Sequence, residues 1–93
     1  MKQRQMISGD ATVYSAEWCE ISDEIDFLSY DTRLNAVAAI QQSTWPVFQA
    51  EATERTIVFE FRSDRGHLAL VAIAPTEQEA SDLLTNTMEN FNV

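Results

Sequence analysis

The sequence predicts an α+β domain: an antiparallel sheet of four or five strands with two helices packed on one face. Three observations predict it. Residues 56–74 hold two apolar runs rich in β-branched and aromatic residues around Ser63, Asp64, Arg65 and Gly66, the pattern of a β-hairpin. Thr76 has Glu79 three places on, and apolar residues then recur at helical spacing. The alanine-rich stretch after Asp31 favours helix by propensity. At 93 residues, the chain makes a single domain spanning 1–93, burying roughly 64% of the surface its open chain would expose. A domain this small is marginal alone, so self-association is a reasonable expectation. Only two glycines and two prolines, with 45% hydrophobic residues, argue against disorder.

Residues 1–8 and 11–16 suit two strands joined at Gly9 and Asp10. Between Glu17 and Asp31 two helical seams compete, one through Tyr14, Trp18, Ile21, Ile25 and Leu28, the other through Phe27, Tyr30, Leu34, Val37 and Ala38. A strand through Ile25 and Phe27 also fits. The reading adopted is helix over 22–42, interrupted near Asp31, which is a good N-cap residue. Trp45, Pro46, Val47 and Phe48 leave that helix for a short edge strand, where a proline is tolerated.

In the hairpin, a four-residue loop pairs Arg62 with His67. Phe61 then faces Leu68, Phe59 faces Leu70 and Ile57 faces Ala72, while Val58, Val71 and Ile73 fall on the opposite side. Pro75 stops the strand. Thr76 caps a final helix whose inner stripe is Ala80, Leu83, Leu84, Thr87, Met88 and Phe91.

Fifteen acids against six bases give a net charge of −9, which disfavours direct nucleic-acid binding and anionic membrane surfaces. The first ten residues lack the apolar centre of a signal peptide, and the longest apolar run, 68–74, is too short for a bilayer. A soluble, cytoplasmic protein is expected.

No cofactor is expected, because two glycines cannot build a phosphate loop or a dinucleotide fingerprint. One histidine and one cysteine exclude the usual metal-ligand spacings, so no metal is expected either. Cys19 sits among acids that disfavour the thiolate a nucleophile needs, and is read as structural. His67, beside Arg62 and diagonal to Glu60, has two readings, an acid/base centre or a surface polar cluster; the second is preferred. No catalytic residue is assigned, and the protein is expected not to be an enzyme.

Charge distribution carries the functional expectation. Residues 10–31 hold seven acids and no base, and every charged residue after Arg65 is acidic. As a helix, the stretch from Glu17 to Asp31 would set Glu17, Glu20, Asp23, Glu24, Asp26 and Asp31 about 3.7 Å apart on average, near the ~3.4 Å phosphate spacing of a DNA strand. That suggests a nucleic-acid mimic, with an ordinary solvated face as the bland alternative. The expected function is a non-enzymatic protein-binding module, an inhibitor, immunity or adaptor protein, that meets a basic, nucleic-acid-binding surface of a protein partner through those acids. The rival expectation is a homodimer or accessory subunit working through an apolar sheet face of Val58, Val71 and Ile73, with Trp45 as an aromatic anchor.

Overall fold

Side-chain alternation in the second half of the chain builds the middle of the sheet, around which everything else is arranged. The structure is a computed structural model and describes residues 11–42 and 45–91. The strand expected over 1–8 and its turn at Gly9 and Asp10 lie outside the described residues. The elements run β1 (Val13–Cys19), β2 (Glu24–Tyr30), α1 (Arg33–Gln41), β3 (Val47–Ala52), β4 (Ile57–Arg62), β5 (Leu68–Ala74) and α2 (Glu77–Asn90). All pairings are antiparallel, and the five-stranded sheet has the order β2-β1-β5-β4-β3. The expected α+β class and antiparallel sheet are present.

The β4–β5 hairpin is shifted by one residue from its expected register. Phe61 pairs with Ala69, Phe59 with Val71 and Ile57 with Ile73. Ser63 sets this. Its N–H donates to the His67 carbonyl at 3.0 Å, and its carbonyl accepts from Gly66 N–H at 2.9 Å. Its hydroxyl also accepts from the Arg65 and His67 N–H groups, at 3.2 and 3.1 Å. Ser63 and His67 therefore form the last pair, and Gly66, at φ 84°, takes the left-handed position of a three-residue bulged loop.

A one-residue slip exchanges faces. Leu68, Leu70, Ala72 and Ala74 now point away from the phenylalanines and pack with Ala16, Ala80 and Leu84 under α2. Val71 and Ile73 join Phe59, Phe61, Ile57 and Val13 beneath Ala36 and Ile40 of α1. The two helices thus lie on opposite faces of the sheet, a correction to the single helical face expected. Strand β5 is apolar at every position because a strand covered on both sides has no solvent face.

The second correction is at 22–42, where the expected helix is a strand followed by a shorter helix. Ile25 and Phe27 alternate with Asp26 and Leu28, and this period of two prevails because β1 provides a partner along the whole length of β2. The turn between them uses Asp23, at φ 55°, whose N–H donates to the Cys19 carbonyl at 2.7 Å and whose carboxylate accepts from the Trp18 indole at 3.0 Å. The N-cap of α1 is Thr32, one residue after the expected Asp31. Thr32 is extended, and its hydroxyl accepts from Asn35 N–H at 3.0 Å.

The cap of α2 is where the sequence places it, with the Thr76 hydroxyl accepting from Glu79 N–H at 3.1 Å. Two arginines hold the β3–β4 turn from both sides. Arg33 donates to the Thr53 and Glu54 carbonyls at 2.6 and 2.8 Å, and Arg55 meets the Glu79 carboxylate at 2.7 Å.

Candidate functional site

Helix α1 is short and buries only Ala36 and Ile40, so it covers one end of its sheet face and leaves the other end open. The uncovered end is a groove of about 420 Å³. Its floor is Phe61, Ala69 and Val71, and Ile40, Ala39 and Trp45 close it on the helix side. The opposite wall is the β1–β2 hairpin, contributing Glu17, Cys19, Glu24, Asp26 and Leu28. Among the described residues that line it, none is basic.

Register puts the carboxylates together. Glu17 lies directly across from Asp26, and Glu24 across from Cys19, so all four side chains project to the same face. Like charges in directly opposed positions repel, and Glu17 is also half-buried. Burial is the main reason its carboxyl titrates above the usual carboxylate range, and the Asp26 charge adds to it. Hydrogen bonds from Ser15, at 3.1 Å, and from Tyr30 act in the opposite direction by favouring the ionised form. The Tyr30 phenol is raised too, by burial first and then by the Glu17 charge. Ser15 is fully buried, so the Glu17 carboxylate is what satisfies its hydroxyl.

The acids expected on one helical face separate into three places. Glu17, Glu24 and Asp26 line the groove. Glu20 and Asp23 sit at the hairpin tip, where Glu20 accepts from Leu68 N–H at 3.0 Å and lies 3.6 Å from the His67 ring. Asp31 is exposed beyond the far end of β2. The even spacing along a helix axis therefore does not occur, because the segment is a hairpin. The His67 ring lies against Glu20 rather than Glu60, which instead lies 3.9 Å from Arg62.

The apolar group is also divided. Val71 is the groove floor, Ile73 is fully buried beneath α1, and Val58 is half-buried on the α2 face, so the three share no surface. Trp45, half-buried against the α1-side core, borders the groove. Ser15 and Tyr30 belong to no sequence motif; the signal that finds them is the pairing of 13–19 with 24–30, which places both beside Glu17.

Among the described residues no three His, Cys, Asp or Glu side chains are grouped to hold a metal ion. No helix among them is long and apolar enough to cross a membrane. No protein family model matches this chain, and no curated protein or solved structure shows significant similarity to it.

Proposed function

We propose that the protein is a non-enzymatic binding module, of the inhibitor, immunity or adaptor kind, that takes a basic segment of a protein partner into the groove between the β1–β2 hairpin and Trp45. The observation that carries this reading is the convergence of Glu17, Glu24 and Asp26 on one wall of an open groove whose floor is apolar. A lysine or arginine is amphipathic in the same sense: its methylene stem lies on Val71, Ala69 and Phe61, while its charged head reaches the carboxylates. The Trp45 ring adds an aromatic surface for the cation. A half-buried carboxylate whose ionised form is disfavoured gains most from such a partner, because an arriving cation offsets both the burial and the Asp26 charge.

The test is titration of a fluorescent peptide alternating arginine and leucine. Affinity is expected to fall several-fold between about 50 and about 500 mM salt, mainly through slower association. Replacing Glu17→Gln, Glu24→Gln and Asp26→Asn together is expected to weaken binding about tenfold or more, while Glu77→Gln with Glu89→Gln on α2 changes it little. Equal binding by the groove triple variant and the wild type would defeat the reading.

A further inference from the structure

We infer that the outer edge of β2 pairs with the same edge of a second copy of the chain, antiparallel about Phe27, so that two five-stranded sheets become one. The inference does not depend on the groove binding a basic partner.

The edge is built for a strand. Glu20 N–H donates to the Leu68 carbonyl at 2.8 Å, so the even-numbered residues of β1 point their backbone groups at β5 and the odd-numbered ones point theirs at β2. Their partners Glu24, Asp26, Leu28 and Tyr30 point back. Ile25, Phe27 and Ser29 consequently direct their N–H and C=O groups outward, and among the described residues no strand receives them.

The two edges of the sheet are treated differently. Strand β3 follows Pro46 and has a register irregularity between Val47 and Gln49, two devices that blunt an edge. Strand β2 runs seven residues without proline, bulge, lysine or arginine. It also leaves apolar groups in water on both faces, with Ile25 at 45%, Phe27 at 48% and Leu28 at 47% exposure.

Self-complementarity selects the occupant, and avoidance of opposed like charges selects the register. Centred on Phe27, the antiparallel pairing sets Glu24 opposite Tyr30, Asp26 opposite Leu28 and Ile25 opposite Ser29 of the other copy. All three outward-pointing residues are used, and within the seven-residue strands no acid lies directly opposite an acid; the next position out, beyond the strand ends, sets Asp23 against Asp31. A parallel in-register pairing would oppose Glu24 to Glu24 and Asp26 to Asp26, which is unfavourable. Phe27 would meet its twin at the twofold axis, on the α2 side of the sheet.

Each copy carries −9, so raising the salt concentration favours this association, whereas it weakens capture of a basic segment. Light scattering over a concentration series at about 50 and about 500 mM salt tests it. The expected result is a mass that rises to twice the chain mass, at lower protein concentration in high salt. Phe27→Lys, and separately Ser29→Pro, which removes an outward N–H without touching the β1 ladder, are expected to raise the dimer dissociation constant about tenfold or more, with melting temperatures confirming that both still fold. In a Cys19→Ser background, Phe27→Cys is expected to give a disulfide-linked dimer on oxidation, since directly opposed Cα atoms lie about 5.5 Å apart, whereas Gln49→Cys on the blunted edge does not. A monomer mass throughout both series overturns the inference. So does a dimer that survives both substitutions and fails to crosslink at position 27.

Discussion

Glu17 is the residue at which stability and the proposed recognition meet. Its carboxyl is held above the ordinary value of 4.5 by burial and by Asp26, so between the two values the folded chain holds a proton that the unfolded chain has released. Stability therefore rises as pH falls through the raised value and levels off below the ordinary one. Glu79 has the opposite sign. Its hydrogen bond from Arg55 lowers the carboxyl, so its contribution is present above the ordinary value and is lost as pH falls through the lowered one. The wild type is expected to be more resistant to urea at a mildly acidic pH than at neutrality, and Glu17→Gln is expected to raise the neutral value and flatten this rise. Urea midpoints measured from neutrality down to about pH 4.5 read both effects. A midpoint that falls steadily with pH in the wild type would contradict the assignment. Gly66 gives a simpler case. No atom lies within 4 Å of where a Cβ would stand, so Gly66→Ala meets no clash, and its cost of about 1–2 kcal/mol comes from φ 84° alone. Gly66→Asn is expected to recover part of that loss in the same denaturation assay.

At the scale of elements, the sequence is most legible where a local hydrogen bond decides the outcome. Thr76 and Glu79 mark the start of α2; of its expected inner stripe Ala80 and Leu84 are buried and Leu83, Thr87 and Met88 half-buried, whereas Phe91, one residue past the end of the helix, is exposed. Thr76→Ala is expected to cost about 1 kcal/mol, read as a lower melting temperature, because the Glu79 N–H loses its acceptor. Legibility fails where a partner from elsewhere in the chain decides. Residues 24–30 fit a helical seam and a strand equally well by spacing, and only β1 alongside them settles the matter. The hairpin of β4 and β5 is obvious as a hairpin, yet its register turns on the Ser63–His67 backbone pair and the Gly66 turn, which the Ser63 hydroxyl supports by tying two N–H groups of the loop. Its consequence reaches well beyond the loop, since the slip sends Leu68 and Leu70 to one helix and Val71 and Ile73 to the other. The unbroken apolar run of 68–74 already contained that information, because a strand with one wet face alternates. The same dependence governs the site. The acidic tract is plain in the sequence, but which three of its acids meet over an apolar floor is a property of strand pairing. Ser63→Ala is accordingly expected to loosen the loop, with faster amide exchange at Arg65 and His67 than elsewhere in the hairpin.

For the whole molecule, the −9 charge acts against folding, while the proposed binding of a basic segment would draw on it. Fourteen acids among the described residues are held in one fold and repel one another, and three of them, Glu17, Glu24 and Asp26, line one groove. Three of the four arginines among the described residues are committed elsewhere: Arg33 and Arg55 fasten the β3–β4 turn to the helices on either face, and Arg62 closes the β4–β5 loop onto the Gly66 carbonyl. Net self-repulsion destabilises the compact state, and salt screens it. The melting temperature of the isolated chain is therefore expected to rise by a few degrees between about 50 and about 500 mM sodium chloride, over the range in which the proposed affinity for a basic peptide is expected to fall. The variant carrying Glu17→Gln, Glu24→Gln and Asp26→Asn separates this screening from a general salt effect. Having lost three like charges from one groove, it should melt higher than the wild type at low salt and respond less to added salt. Calorimetric scans of the two proteins across the salt series measure both slopes. Parallel slopes would mean that the groove carboxylates do not strain the fold, and that the destabilising part of the charge lies elsewhere on the surface.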